Sequence, residues 1–427
     1  MKTLIYGLIT GALTLSSLSS LADGRGEVSL NFRGYIDDAQ TLLGEDQPNE
    51  LAFVKVALED RGDWSGWEYN LSLIGRADEK YQDNSYVDFN EFNIGRSFGN
   101  WQASVGQHMF MWSRLEAYHV VDVINSRIND GNIERFEKLG ETSVVLSHYT
   151  SIGTMKFIYM PYFKEGFYPD SKMRIFDGLS PQKQNVVKGN KITDSDEDNQ
   201  FDQFAVYYAH QFGDLDLTVF AMDHIDRTRP IFAAASVPDL LAGNINAYYL
   251  DVADYGTAAT YFWGEQTFKF EYLYSDFNVN DSVSIIDYTG GQREIFNYQL
   301  ASIGHEYTYN YDNNWSSGFY TEYQRVLGVG KNKRSQAQIF QNDLFIGHRL
   351  ALNDAYSNEF MLGLYIDLER AGETLYYLSY ERRLNNAWKM KLNFRGVTIG
   401  DDAKADNRGL YVLDGDDEFG VTLTRFF

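Results

Sequence analysis

The sequence predicts an all-β chain: a transmembrane antiparallel β-barrel of about eighteen strands. Three observations predict it. Strand-like segments recur along the whole chain with period-two alternation of apolar and polar residues, which gives a sheet one greasy and one wet face. There is no long apolar run after the first residues, so a helical membrane protein is excluded, and a mean hydropathy of -0.39 agrees. The third is aromatic content: 31 Tyr, 29 Phe and 7 Trp against only 6 Pro. Tyr and Trp serve the interfacial girdles of a barrel, and Pro cannot donate to a sheet ladder. Such a sheet would aggregate in water, but closed in lipid it has no free edge and every backbone group is paired.

The segments that alternate are 27–37, 50–60, 66–77, 85–98, 100–112, 141–150, 153–163, 200–212, 214–225, 252–263, 265–276, 294–309, 314–326, 337–350, 357–369, 373–384, 386–397 and 415–427. The clearest is 386–397. Trp388, Met390, Leu392 and Phe394 form its lipid face, with Lys389, Lys391, Asn393 and Arg395 opposite. Connections between these segments alternate in length, as short periplasmic turns and longer external loops require. The short ones include Gly99, Ser151-Ile152, Gly213, Gly264 and Asn385; the long ones are 113–140, 164–199, 226–251, 277–293 and 398–414. Only 370–372 is short where an external loop is expected. The count falls to sixteen if 85–98 or 252–263 does not span.

Lys2, the apolar stretch Leu4–Leu18 and the small-x-small site Ser20-Leu21-Ala22 predict a signal peptide over 1–22 and a single barrel over 23–427. The expected location is the bacterial outer membrane, reached through the periplasm. No plug domain is expected before the strand at 27, so an energy-transducing receptor is not. The last strand, with Phe419, Val421, Leu423 and Phe427, resembles the C-terminal signature of Gram-negative outer-membrane proteins; Arg425 departs from it and is expected to snorkel. That resemblance implies recognition by the barrel-assembly machinery.

The chain has no Cys, which excludes thiol chemistry and disulfides. A net charge of -23 argues against nucleic-acid partners. Outer-membrane lipid, lipopolysaccharide and a small solute are the partners expected, and no cofactor.

Functional residues are expected in 113–140, the third external connection, which resembles, by position only, the loop that folds inward in general porins. Arg114, Glu116, His119, Asp122 and Arg127 are the candidates there, in a loop that also carries Asp130, Glu134 and Arg135. Arg33, Arg76, Lys389, Lys391 and Arg395 are basic lumen candidates on strands. Opposed charges across a constriction select solutes by charge. The alternative is a loop that merely covers the mouth.

Gly106-Gln107-His108 through Trp112, followed by Asp122-Val123-Ile124-Asn125, also resembles a stretch in a family of poorly characterised Gram-negative barrels. In that family a strand with Gly-Arg-Gln and Trp-Gly leads to Asp-x-x-Asn-Pro-x-Asp. Here no Arg separates Gly106 from Gln107, Ser113 follows the Trp, Ser126 replaces Pro and Ile128 the final Asp. The resemblance implies a structured strand-to-loop passage and a link to export of lipid-like molecules.

None of the seven His shows a zinc-helix or His-x-His spacing. His108 and His119 are expected to be polar lumen or rim residues. Ser147-His148 and Asp223-His224 point to opposite faces of a strand, so neither is a dyad alone, and no enzyme is expected. Asp194, Asp196 and Asp198 have the oxygen density of a Ca²⁺ site but not an EF-hand pattern; solvated acid is the default and divalent bridging to lipopolysaccharide the alternative. A second acid cluster, 401–418, is expected at the outer rim. The apolar loop after Pro230 is expected to tuck a short helix into the mouth or meet a partner. The function expected is a channel for passage or export of small solutes; the alternative is a structural or partner-binding barrel.

Overall fold

In the computed structural model the described residues are 24–41, 44, 46–130, 136–170, 172–174, 180–279, 285–286, 293–400 and 408–427. The expected signal peptide and Glu134, Arg135, Asp401, Asp402 and Asp406 lie outside them.

Eighteen strands form one antiparallel sheet that closes on itself. They are β1 (Arg25–Tyr35), β2 (Glu50–Trp64), β3 (Trp67–Asp78), β4 (Tyr86–Phe98), β5 (Trp101–His108) and β6 (Glu141–Thr150). Next come β7 (Gly153–Tyr162), β8 (Gln200–Phe212), β9 (Leu215–Ile225), β10 (Asn246–Trp263), β11 (Gln266–Phe277) and β12 (Tyr298–Asn310). The last are β13 (Ser316–Leu327), β14 (Asn342–Ala351), β15 (Glu359–Asp367), β16 (Thr374–Arg383), β17 (Trp388–Thr398) and β18 (Glu418–Phe426). Each pairs with its sequence neighbours. Closure is made by β1 on β18, in register from Glu27 opposite Phe426 to Tyr35 opposite Glu418. Among the described residues no helix is long and apolar enough to cross a membrane.

Alternation sets the two faces, as period-two geometry requires. On β1, Leu30 and Phe32 point outward while Ser29, Asn31 and Arg33 point in. On β17, Leu392 is on the outer face while Lys389, Lys391 and Arg395 meet carboxylates inside. The short turns carry outward aromatics: Trp64 and Trp67, Phe98, Phe212, Trp263, Trp315 and Tyr356. These make a girdle at one rim, where amphipathic rings sit at the lipid headgroups.

Among the strand boundaries that differ from the sequence reading, three have a clear physical reason. β5 stops at His108, not 112, because Met109–Trp112 leave the sheet for the lumen. Gly106 sits at φ +134, where a Cβ would lie 2.2 Å from the Phe92 carbonyl oxygen, so the strand twists there as only Gly allows. β10 starts at Asn246, six residues before the expected 252, because its outer end pairs with loop segments. Gln184–Val187 run parallel to Ala247–Leu250, and Ile231–Ala233 antiparallel to Asn246–Tyr248. The strand expected from 337 starts only at Asn342, because a helix, Lys331–Ala337, runs up to its expected first residue.

The apolar loop divides its behaviour. Ala233 and Ala234 are buried with Val187, Tyr248 and Leu250, while the short helix Val237–Leu241 leaves Leu241 80% exposed.

If Leu392 faces lipid, Leu392→Arg should cost ~2–4 kcal/mol near the bilayer midplane and lower the assembled yield. Heat-modifiable migration on gels measures this, and wild-type migration and yield would contradict the assignment.

Candidate functional site

The third external connection, between β5 and β6, enters the barrel and crosses it. Residues 109–130 carry an apolar set, Phe110, Trp112, Leu115, Tyr118, Val121 and Ile124 among them, all buried. They pack on inward side chains of consecutive strands from Val145 on β6 through Phe220, Leu273, Leu300, Val326 and Phe345 to Tyr365, Leu375 and the partly buried Val397 on β17. Twelve strands, β6 to β17, thus present an apolar patch inside a barrel that would otherwise hold water. Gly304, on the inner face of β12, leaves the room that the Leu115 side chain needs; a Cβ there would lie 2.7 Å from it.

This segment is irregular, so its N–H groups need acceptors that are not its own neighbours. The far wall supplies them. Glu271 on β11 accepts from the backbone of Arg114, Leu115 and Val121 and from the Ser113 hydroxyl. Glu322 on β13 accepts from Glu116, Ala117 and Tyr118 at 2.7–3.3 Å. Within the segment, Asp122 accepts from the Trp112 and Ser113 N–H groups, and Asn125 from Phe110. Glu141 accepts from Ser126 while Arg227 stands 3.1 Å from it.

The candidate residues of this loop divide by role. Asp122 binds Lys138 at 2.6 Å and is fixed inside the plug; burial pushes its carboxyl up, but Lys138 outweighs that and holds it below the usual range. Arg127 donates to the Asp122 carbonyl. Arg114 reaches Thr218 on β9, and Glu116 pairs with Lys269 on β11, which also holds Glu306. His119 opens to the lumen beside Ser113, and its depth in the barrel lowers its pKa to about 4 against the pull of Asp122. His108 lies between Ser104 and Ser143, in the inner wall.

The strand candidates gather on the opposite side. Arg33, Arg76, Arg395 and Arg174 line one small cavity with Tyr35, Asp130 and Asp416. Its volume is about 10 Å³, no more than one water site. Arg33 and Arg395 both hold Glu418, and Arg76 holds Asp78. Asp416 and Glu418 were expected with the rim acid; closure of β18 on β1 buries both instead. Asp130, from the plug, meets Lys55 at 3.3 Å and Arg76 at 3.5 Å, and Arg33 donates to its carbonyl. Burial pushes the Asp130 carboxyl up, but these cations hold it at about 2. Lys389 and Lys391 lie nearer the turns, both on Glu381.

The plug's contacts therefore differ by side: largely apolar against β6–β17, around the Glu271 and Glu322 anchors and the Glu116–Lys269 pair, and mainly ionic against β1–β3, where Ile128 also packs on Ile74. The signal missed in the sequence was the pair Glu271 and Glu322.

The other expectations fall as follows. Asp194 pairs with Lys183 and caps the Asp196 N–H. Among the described residues no group of three or more His, Asp or Glu is placed to hold a metal ion. His148 points outward and stacks on Trp101, whereas Ser147 is buried inside. His224 finds a cross-strand partner, Asp254, at 3.0 Å, and Ser275 donates to the same carboxylate. The carboxylate is thus the middle member, and the His and the Ser each spend their contact on it.

No protein-family model and no curated protein matches the sequence. Among solved structures the chain is similar to Wzi, an outer-membrane protein involved in group 1 capsule assembly in Escherichia coli and described as a carbohydrate-binding β-barrel. Identity is 10% and the TM-score 0.50, over 98% of this chain and 87% of that one. It also aligns with Salmonella typhi OmpF in complex with daunomycin, at 10% identity and TM-score 0.46 over 95% and 97%. A Rh. blastica porin mutant aligns at 10% and 0.43 over 95% and 99%. Likeness at this identity concerns the fold. The chain has the closed-barrel fold of porin-like outer-membrane proteins.

Proposed function

We propose that the protein is an outer-membrane barrel with a resident plug, passing small polar solutes only along the crescent between that plug and the β18–β5 wall. The observation that carries this reading is the plug's two-sidedness. Apolar packing over twelve strands excludes water and is satisfied only in place. The ionic side faces a wall of Asn31, Lys55, Glu59 and Ser72, which water and solute can wet. Both signs of charge line that wall, and Lys389 and Lys391 share Glu381, so weak ion selectivity is expected.

The proposal includes export: residues 1–22 as the signal, Phe427 and its strand as the feature read by the assembly machinery, and lipopolysaccharide around the outer rim. A second reading, a barrel that binds a saccharide or a partner at its outer face without conducting, is favoured by the likeness to Wzi. The pairing of 184–194 and 231–233 on the outer end of β10, which folds chain over the mouth, favours it too.

Planar-bilayer recording separates the two. Wild-type protein is expected to show a small conductance with little ion preference, and removal of 113–124 a several-fold larger one. A silent wild type with a silent truncation would overturn passage in favour of binding.

A milder perturbation acts on the anchors alone. Glu271→Ala with Glu322→Ala leaves six N–H groups without an acceptor, and the four that are buried, those of Leu115, Ala117, Tyr118 and Val121, cost about 1–3 kcal/mol each. Amide exchange over 114–121, followed by mass spectrometry, should then accelerate strongly relative to the barrel strands. Unchanged protection would mean that the carboxylates do not hold the plug.

A further inference from the structure

We propose that the arginine-lined cavity beside the plug is a binding site for solutes bearing a carboxylate or phosphate, and that Asp130 occupies it as a tethered stand-in for that anion. This deepens the passage reading by naming the solute chemistry, and it rests on that reading only for its link to transport.

Arg33, Arg76, Arg174 and Arg395 converge on the cavity, and Lys55 stands at its lumen side. Planar guanidinium groups suit carboxylate and phosphate oxygens, which they can grip with paired donors. The acids among them come from two sources. Glu418 and Asp78 belong to the wall and travel with their arginines, and Asp416 belongs to the chain just before β18. Asp130 belongs to the plug. Its carboxylate is the group that draws Lys55 and Arg76 together, and its carbonyl takes the Arg33 donor.

Arg174 donates to the carbonyls of Asp37, Pro48 and Gly415 and to the Asn49 amide oxygen, so its bonds go to neutral acceptors. Arg76 is buried with its Nε facing no acceptor, although it stacks on Phe53 at 3.7 Å. If Asp130 leaves, Lys55 and Arg76 lose the one carboxylate they share, and Arg33 loses a carbonyl acceptor. The vacated place has the size and charge of an anionic group.

Access is from the lumen. The Lys55 side chain is 25% exposed and that of Arg33 16%, so the cations are reachable along the crescent. The cavity alone admits no more than a water, so a ligand anion must take the volume of the Asp130 carboxylate. Binding and release of this limb of the plug are then one competition. A tethered group competes at high effective concentration, so removing its charge should strengthen anion binding without new contacts.

Calorimetry on the detergent-solubilised full chain tests this without any current, so its outcome is separate from that of the bilayer recordings. The probes are inorganic phosphate, glucuronate and, as an uncharged control, glucose. Asp130→Asn should bind at least one anion about tenfold more tightly than wild type, with glucose unchanged. Adding Arg76→Gln to that variant should abolish the gain. Which anion gains tells phosphate from carboxylate ligands. Heat-modifiable migration establishes that each variant is folded. Glu137→Gln, which loosens the same limb at Lys55 (2.9 Å), gives a second, smaller gain where Asp130→Asn assembles poorly. No gain in either folded variant would overturn the proposal. So would a gain that survives Arg76→Gln, because the anion would then sit elsewhere.

Discussion

Irregular backbone inside a membrane barrel is permitted only where its polar groups find partners, and here two wall carboxylates meet most of that demand. Glu271 and Glu322 lie on strands β11 and β13, across the lumen from the strand that sends the plug inward. A carboxylate can accept several N–H groups at once, which a neutral side chain cannot do as well. With the backbone satisfied, the side chains of 110–124 are free to pack as a core. The wall answers with Leu273, Leu300, Val326, Phe345 and Leu375 at inward positions. A water-filled pore would carry polar residues there.

The consequence is a lumen with two physical regimes. Apolar burial dominates one side, where it encloses the Glu271 and Glu322 anchors, and it responds little to solutes or salt in the physiological range. Ion pairs hold the other, partly exposed and therefore open to screening and to competition. Any movement that lets solute by is expected at the ionic side. The same division explains why the acid excess of the chain says little about selectivity. Much of that acid is either paired inside, as Glu418 and Asp130 are, or at an exposed surface, as Glu197 and Asp198 are.

The fold was legible because alternation and turn length are local signals. Segments such as 141–150, 200–212 and 386–397 agree with β6, β8 and β17 to within one or two residues. The boundaries that slipped lie where strands meet tertiary partners. Residues 109–112 read as strand because they continue an apolar run; only the plug's packing shows that they leave the sheet. Residues 246–251 read as loop because their pairing is with loop segments far away in sequence. The arginines at 33, 76 and 395 were legible as inward residues by parity, and they do converge. Their gathering around Asp130 was not legible, since it depends on closure of β18 on β1 and on where the plug returns. Glu271 and Glu322 were invisible for a similar reason. A lone Glu at an inward position looks the same whether it faces water or a line of backbone N–H groups.

The absence of native cysteine makes the central claim, a lumen that is sealed on one side and wet on the other, directly measurable. Two small inward residues serve as reporters: Ala258 on β10, fully buried under the plug, and Ser72 on β3, part-exposed on the crescent. Each is replaced by cysteine alone and challenged with a membrane-impermeant thiol reagent. The Ser72→Cys protein should react readily and the Ala258→Cys protein only after denaturation. Equal reaction at both positions in the folded barrel would contradict the division of the lumen on which the proposed function rests.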